Sequence, residues 1–294
     1  MTKHYVIKDD VCAGHCADCS KHKNFKNADT ARTIRGGLEE QGYARFSLQD
    51  ECEHYSLPLD AIRSAAAAMP LDRTDGGVGR ARLYGRGLLL PWLPVGNELH
   101  FEPGRVYEFN DTFGIEYSQP ASVNSVAAGK RRVFKAFDAR LYDNPLMVDL
   151  VRLLWLAMPF DHDTKNSAMF VGMHLIKLSP SGEIPAVASP DLVHRDGESF
   201  TAGILIDRIN VDGGFNAVTH TRWHDRRFDE VPTPDIFEKF TLEAPLEGYV
   251  VQDDRVAHYV SPVASIDSDR HAERTILLID FTPARPAINL SGIH

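Results

Sequence analysis

Short strand-like runs separated by turns fill the chain from about residue 168 to residue 282. Their apolar residues, and the turn signal at 212–214, are typical of strands joined by tight connections. Among them, Thr233-Pro234 supplies a cap and a proline and predicts a short helix at 233–240. The runs are residues 169–178, 201–209, 215–221, 240–242, 249–252, 256–260 and 275–282. Such a series predicts a double-sheet jelly roll.

Helical patterns precede the strands. Asn144-Pro145, a cap followed by proline at the first helical position, opens one of them. The pair Gly36-Gly37 is expected to interrupt another, because glycine is a poor helix former. The predicted helices span residues 29–41, 58–69 and 144–158. The expected fold class is therefore α+β, a double-stranded β-helix (jelly-roll, cupin-like) core with N-terminal helices packed outside it.

The first thirty residues form a Cys/His-rich arm that is poor in large apolar residues. Three thiols and an imidazole lie close together there, at Cys12, Cys16, Cys19 and His22. This spacing leaves three interpretations open: a zinc site, the iron–sulfur motif of radical enzymes, or thiols that bind no metal. We expect residues 1–30 to be this arm and residues 31–294 to be a single domain, with its jelly-roll core mostly within 168–282.

His194-Arg195-Asp196, followed 62 residues later by His258, is the strongest chemical signal in the chain. In an extended segment the side chains of His194 and Asp196 point the same way, so both can reach one ion. A second strand must then supply the third ligand. Two histidines and one carboxylate form the facial triad, which leaves open positions on Fe(II) for O2 and a co-substrate. The pattern predicts such a centre.

Arg274 opens an apolar strand, 16 residues after His258. A planar guanidinium can grip a carboxylate such as the distal one of 2-oxoglutarate with two parallel hydrogen bonds, which lysine cannot reproduce. A salt bridge at the end of a strand is the alternative interpretation of this residue. The triad upstream favours the co-substrate role.

Taken in order, these motifs resemble the bacterial 2-oxoglutarate/Fe(II) dioxygenases related to L-isoleucine hydroxylase, over roughly residues 75–282. The segments that carry the resemblance are Arg82-Leu-Tyr-Gly-Arg86, Tyr117-Ser-Gln119, Asn124, Gly129, Arg132, Phe134, His194-Arg-Asp-Gly-Glu-Ser-Phe200, Asn210-Val-Asp-Gly-Gly214, Phe240-Thr-Leu-Glu-Ala-Pro-Leu246, His258-Tyr-Val-Ser-Pro262 and Arg274-Thr-Ile-Leu-Leu-Ile-Asp-Phe281. The ordered series is far more specific than a lone His-x-Asp pair.

The resemblance implies a dioxygenase that uses Fe(II), 2-oxoglutarate and O2, with His194, Asp196 and His258 as catalytic metal ligands and Arg274 as co-substrate anchor. It implies hydroxylation of a small molecule, a free or derivatised amino acid, with succinate and CO2 as co-products. Desaturation or oxidative cyclisation, and a non-catalytic metal- or ligand-binding jelly roll, are the alternatives. One position departs from the pattern: many dioxygenases have Ser or Thr two residues after the arginine, and here it is Ile276.

Substrate contacts are predicted at Gln119, Asn124 and Arg132, which lie in the resembling segment and could bind the polar ends of an amino acid. Each of them could instead satisfy backbone groups, as buried amides and arginines often do. His174, within an apolar run, is interpreted as a core histidine with satisfied hydrogen bonds.

Charge and hydropathy exclude several classes of partner. The formal net charge is −9, from 32 basic and 41 acidic residues, which disfavours binding to nucleic acid. No apolar run approaches the roughly 20 residues of a membrane span, and the first ten residues have no apolar signal region. We therefore expect a cytoplasmic enzyme without nucleic-acid or membrane partners, and a homodimer is possible.

Overall fold

The computed structural model describes residues 27–70, 79–94, 96–107, 112–119, 131–188 and 190–284. The cysteines and His22 of the N-terminal arm, and Asn124, lie outside these ranges. The helices are α1 (Asn27–Gln41), α2 (Ser56–Ala67), α3 (Ala139–Tyr142), α4 (Pro145–Ala157) and α5 (His162–Lys165). Short 3-10 turns cover Gln49–Glu51, Thr221–Trp223, Phe228–Glu230 and Thr233–Asp235. None of the helices in the described ranges is long and apolar enough to cross a membrane.

The strands follow the predicted runs closely. In chain order they are β1 (Tyr43–Ser47), β2 (Arg80–Leu89), β3 (Leu99–Phe101), β4 (Arg105–Tyr107), β5 (Thr112–Tyr117), β6 (Arg132–Ala136), β7 (Met169–Leu178), β8 (Phe200–Ile209), β9 (Val211–Gly213), β10 (Asn216–His220), β11 (Ile236–Phe240), β12 (Glu247–Gln252), β13 (Val256–Val260), β14 (Val263–Ser265) and β15 (Glu273–Pro283).

Within the described ranges, most strands join one large sheet in the order β1-β12-β8-β15-β7-β2-β6-β5-β4, with β3 added beside β2. All its pairs are antiparallel except β2 with β6. A second sheet has the order β11-β10-β13, and β14 pairs with β9. The strands β2 to β6 thus extend the jelly-roll sheet with chain that precedes β7.

The two faces of the large sheet contact different layers, as β15 shows. Leu277 and Ile279 pack in one cluster with Leu150 of α4, so the helices cover this face. Ile276 belongs to another cluster with Val218 of β10, so the second sheet covers the opposite face. The alternation follows from the two-residue period of a strand. The predicted jelly-roll core with helices outside is confirmed.

Helix α4 begins as its sequence predicts. The Asn144 side chain accepts hydrogen bonds from the backbone N–H groups of Leu146 and Met147, and proline follows it. In contrast, Gly36-Gly37 does not interrupt α1. A Cβ on Gly37 would lie 2.9 Å from the Tyr43 carbonyl oxygen, so glycine here permits close approach of α1 and β1.

The predicted helix at 233–240 is wrong. After the 3-10 turn Thr233–Asp235 the chain becomes strand β11, which pairs with β10 in the register Asn216 to Phe240. Cross-strand pairing therefore overrides the local cap-plus-proline signal. The predicted strand at 240–242 is likewise only the last residue of β11.

Candidate metal centre

His194, Asp196 and His258 converge. One ligand atom from each lies within 4.8 Å of the others. The Asp196 carboxylate stands between the imidazoles, with Oδ1 3.7 Å from His194 Nε2 and Oδ2 3.4 Å from His258 Nε2. The structure thus brings together the three residues that the sequence pattern selected.

Backbone pairing positions the two histidines. The His194 N–H donates to the His258 carbonyl at 2.8 Å, and the His258 N–H donates back at 2.9 Å. This bridge adds the segment of His194 beside β13. Gly197 has a φ of +89°, which lets the chain turn immediately after Asp196. The His-x-Asp spacing and the following glycine therefore create the local geometry of the site.

A second set of hydrogen bonds orients the ligands. His194 Nδ1 lies 2.8 Å from the Leu192 carbonyl oxygen. A carbonyl only accepts, so Nδ1 carries the proton and Nε2 offers its lone pair towards Asp196. The Asp253 carboxylate accepts the backbone N–H groups of Asp196 at 2.7 Å and of Gly197 at 2.8 Å. Sequence reasoning did not select Asp253, although it lies shortly before β13.

The chemistry of this donor set fits a divalent metal ion. Burial lowers the pKa of His258 to about 4, so at neutral pH its imidazole is uncharged and able to coordinate. Asp196 Oδ2 has no hydrogen-bond partner among the described residues, although it is buried. Two imidazoles and one carboxylate with ligand atoms within 4.8 Å of one another are the donor set that Fe(II) takes in a facial triad.

The three residues open onto a cavity. Three adjacent strands of the large sheet, β2, β7 and β15, supply much of its wall with side chains from alternate positions. These side chains are Arg80, Arg82, His174, Ile176, Leu178, Arg274, Ile276, Leu278 and Asp280.

One end of the cavity carries two guanidinium groups. Arg80 and Arg274 both pair with Leu178, one from each side, so their side chains leave the same face of the sheet. They are 1% and 2% exposed. Arg274 Nε and Nη2 have no hydrogen-bond partner in the described part of the chain. Burial lowers the pKa of Arg274 only to about 10, so the guanidinium stays charged at neutral pH. This charged end suits a buried carboxylate.

Gly214 makes room for Arg274. Its φ is +64°, and a Cβ there would lie 2.8 Å from Arg274 Cδ. Ile276 lines the same cavity two residues further along β15 and offers no hydroxyl group. Ile276, which stands where many dioxygenases have Ser or Thr, therefore provides no hydrogen-bonding group beside Arg274. The buried polar group in register with Arg274 is instead Arg80.

Gln119 and Arg132, the two predicted substrate contacts that the structure describes, also line the cavity. Arg132 Nη2 donates to Gln119 Oε1 at 3.0 Å, and Gln119 Nε2 donates to the Asp196 carbonyl oxygen at 2.7 Å. Gln119 thus supports the loop that carries a candidate metal ligand. Substrate contact by these two residues stays a prediction, as does any role of Asn124.

His174 is buried, at 5% exposure, but it is not a satisfied core histidine. Its Nδ1 has no hydrogen-bond partner among the described residues, and its ring lines the cavity, stacked on Tyr84. Burial, with Arg82 and Arg132 nearby, holds its pKa well below the ordinary value. His174 lies two residues from Ile176 on β7, so the two side chains face the same side of the sheet. This spacing was the sequence signal that could have placed His174 in the cavity.

Two further carboxyl groups line the cavity, and sequence reasoning missed both: Glu198 and Asp280. Burial, with a contribution from Asp196, raises the pKa of Asp280 to about 7. Burial and Asp280 raise the pKa of Glu198 well above its ordinary value. Tyr117 Oη donates to Glu198 Oε1 at 3.1 Å.

Comparison with known proteins decides the family. The family model described as 2OG-Fe dioxygenase matches residues 64–280, which include the triad and Arg274. The chain belongs to the 2OG-Fe dioxygenase family. It is therefore a 2-oxoglutarate-dependent oxygenase whose cofactors are Fe(II), 2-oxoglutarate and O2, and the predicted class and cofactor set are confirmed.

Individual relatives of this dioxygenase are distant. L-isoleucine-4-hydroxylase of Bacillus thuringiensis is 26% identical over 169 residues, which cover 57% of this chain and 65% of that protein. The match thus spans just under two thirds of the relative.

Solved structures share the fold of this dioxygenase. IDO from Bacillus thuringiensis has a TM-score of 0.62 at 19% identity, covering 89% of this chain and 100% of that one. A bsmA homolog from Methylobium petroleophilum PM1 reaches 0.68 at 20% identity, with coverage of 86% and 93%. The Fe(II)/α-ketoglutarate-dependent dioxygenase TqaL reaches 0.64 at 13% identity, with coverage of 90% and 92%.

Proposed function

We propose that this dioxygenase hydroxylates an amino acid, with succinate and CO2 as co-products. The observation that carries the proposal is a single cavity lined by a His-Asp-His group, by a buried arginine pair and by further side chains of both charge signs. The match to an L-isoleucine-4-hydroxylase supports the same substrate class.

In this proposal His194, Asp196 and His258 hold Fe(II). The bound iron supplies oxygen activation, coupled to decarboxylation of 2-oxoglutarate. The protein's own part is to fix the ligands: the Leu192 carbonyl sets the tautomer of His194, and Asp253 holds the backbone of Asp196.

Arg274 binds the distal carboxylate of 2-oxoglutarate, and we propose Arg80 as its second cationic contact. The two residues share a row of the sheet and a cavity, and both are almost completely buried. A carboxylate can accept two hydrogen bonds on each oxygen, so two guanidinium groups can bind it together. This arrangement compensates for the missing hydroxyl at Ile276.

Part of the cavity wall is aliphatic, although Arg82 and His174 lie in the same rows of the sheet. Ile176, Ile276 and Leu278 lie between the arginine pair and the acidic residues. Apolar walls exclude water from the carbon chains of co-substrate and substrate, which strengthens the polar contacts at both ends.

The test supplies the enzyme with Fe(II), 2-oxoglutarate, O2 and each of the 20 L-amino acids in turn, and measures the succinate formed. Mass spectrometry then gives the mass change of the amino acid. We expect one amino acid to raise succinate and to gain the mass of one oxygen atom. A loss of two hydrogens would instead indicate desaturation or cyclisation. Succinate that no amino acid stimulates would contradict the proposed substrate class.

A matched pair of histidine variants separates the site from general damage. His194→Ala should abolish both iron binding and amino-acid-dependent succinate. His162→Ala changes a histidine whose side chain is 85% exposed in α5 and should leave both unchanged. Equal iron content in the wild type and His194→Ala would overturn the ligand assignment.

A further inference from the structure

The wall of the cavity is built from rows of side chains that cross β2, β7 and β15. Alternate residues of a strand share a face, so each row lies two residues beyond the one before it. Arg80, Leu178 and Arg274 form the first row, and Tyr84 pairs with His174 in the third. These two rows are four residues apart, or about 14 Å along the strands.

A second pocket follows on the same face of the same strands. In the fourth row, Gly172 pairs with Arg86 on one side and with Asp280 on the other. In the fifth row, Phe170 pairs with Thr282. All five residues line this second space, which we call the outer pocket. Asp280 also lines the cavity of the His-Asp-His group, so the two spaces meet at the fourth row.

Tyr117 and Glu198 lie across this boundary, and each of them lines both spaces. Tyr117 ends β5, on the β2 side of the rows, whereas Glu198 precedes β8, on the β15 side. Tyr117 Oη donates to Glu198 Oε1 at 3.1 Å. The two side chains therefore bridge the rows from opposite sides and separate the cavity from the outer pocket.

The Tyr117 ring is fixed by its neighbours. It makes edge contacts with the rings of Tyr84 and His174, at centroid distances of 5.1 and 5.0 Å. The Arg132 guanidinium carbon lies 5.1 Å from the centroid of the Tyr117 ring. To swing aside, the ring would have to give up these contacts together with its hydrogen bond to Glu198. Tyr117 is thus a fixed part of the wall.

A hydrocarbon chain can follow the rows as far as this ring. Ile176 and Ile276 lie in the second row and Leu278 in the third, so apolar surface leads away from the arginine row. A ligand whose carboxylate binds at Arg274 would extend over these side chains and meet the Tyr117 ring. Beyond the ring, the next apolar side chain on this path is Phe170, which is 45% exposed in the outer pocket.

We propose that Tyr117 sets the maximum length of the chain that the cavity holds, and that its ring keeps the outer pocket out of reach. Tyr117 is then a specificity-determining residue that restricts this dioxygenase to short substrates, and Glu198 positions its ring. The limit applies to any ligand chain that follows the rows, so it goes beyond the proposed function and does not depend on an amino acid as substrate.

The probes are straight-chain alkanoates of four to twelve carbons, bound to the anaerobic Fe(II) enzyme and measured by calorimetry. Competition with 2-oxoglutarate shows whether their carboxylate occupies the arginine row. Tyr117→Ala removes the ring, whereas Tyr117→Phe keeps the ring and removes only the hydroxyl group. Phe113→Ala is the matched control, because this aromatic residue of the same strand is 56% exposed and lines neither space.

We expect the affinity of the wild type to rise roughly fourfold for each added methylene, the gain for burying one such group. The rise should stop once the chain reaches Tyr117. In Tyr117→Ala it should continue for several more carbons, so that the longest alkanoates bind roughly tenfold or more tightly than to the wild type. Tyr117→Phe and Phe113→Ala should keep the wild-type limit.

A further variant tests where the end of a long chain lies. Phe170→Ala alone should leave alkanoate binding unchanged, because the ring of Tyr117 separates Phe170 from the cavity. In the Tyr117→Ala background, Phe170→Ala should weaken binding of the longest alkanoates and leave the short ones unaffected. Tighter binding of long chains cannot result from partial unfolding, so the result for Tyr117→Ala does not depend on full retention of stability.

The same length limit in Tyr117→Ala and in the wild type would overturn the proposal, as would a wild-type affinity that rises through all twelve carbons. Alkanoates that fail to displace 2-oxoglutarate would contradict the path from the arginine row. Failure of the amino-acid assay, in contrast, would remove the proposed function and leave the role of Tyr117 standing.

Discussion

His194 and His258 exchange two backbone hydrogen bonds, of 2.8 and 2.9 Å, and their ring centroids lie 4.3 Å apart. The pairing of the two strand segments therefore sets the separation of the imidazoles before any metal binds. Preformed ligands of this kind reduce the ordering that metal binding requires. The predictions below test this site and the structure around it.

Asp253→Asn should lower Fe(II) affinity roughly 10- to 100-fold, the usual effect of losing a group that orients a metal ligand. Asparagine offers one carbonyl oxygen to the two N–H groups, of Asp196 and Gly197, that the carboxylate now accepts. Metal titration followed by fluorescence measures the affinity. Asp254→Asn, the exposed neighbour, is the control and should bind iron normally. Equal affinities would show that Asp253 does not position the ligand.

Arg80→Leu should raise the dissociation constant of 2-oxoglutarate roughly tenfold or more, because one charge-assisted contact to its distal carboxylate is lost. Anaerobic titration of the Fe(II) enzyme with 2-oxoglutarate measures this constant. Arg140→Leu changes an arginine whose side chain is 91% exposed and should have no effect. Unchanged 2-oxoglutarate binding in Arg80→Leu would show that Arg80 does not contact the distal carboxylate.

Arg152→Met should destabilise the fold by roughly 3 kcal/mol, the cost of leaving one member of a buried ion pair alone. Arg152 Nε lies 2.6 Å from Glu98 Oε1, and the Glu98 side chain is 10% exposed. Urea denaturation gives the free energy of unfolding. Arg140→Met removes a surface pair with Asp138 and should cost less than about 1 kcal/mol. Similar losses in both variants would contradict a special role for the buried pair.

The same pair predicts a pH dependence. Burial alone would raise the pKa of Glu98, but the hydrogen bond and charge of Arg152 hold it below its ordinary value. A carboxyl with a lowered folded-state pKa stabilises the fold above its unfolded pKa, and this stability is lost as pH falls through the folded value. The stability difference between wild type and Arg152→Met should thus be largest near pH 7 and shrink in acid. If the stability difference between wild type and Arg152→Met instead grew in acid, the pKa of Glu98 would not be lowered in the folded state.

Local patterns predicted the strands and the triad because both are written in short stretches of sequence. The runs at β7 and β13 match their strands residue for residue. His-x-Asp with a following glycine needs only neighbouring residues to form half of the metal centre. Arg274 could be found because it opens a strand at a recognisable distance from His258.

Contacts between segments that are distant in sequence could not be predicted. Nothing near Ile236–Phe240 shows that β10 will pair with it, so the local helix signal misled the prediction. Asp280 and His174 meet only because β15 pairs with β7, and neither has an unusual sequence neighbourhood. The charge of the cavity depends on such pairings, which a single sequence does not reveal.

The strands β2, β5 and β6 lie outside the jelly-roll segment but supply Arg82, Tyr117 and Arg132 to the cavity. The candidate metal ligands and Arg274 come from later in the chain. Part of the cavity wall and the candidate metal ligands thus come from separate stretches of the chain. Substitutions in the earlier stretch can therefore reshape the cavity without changing a residue of the His-Asp-His group.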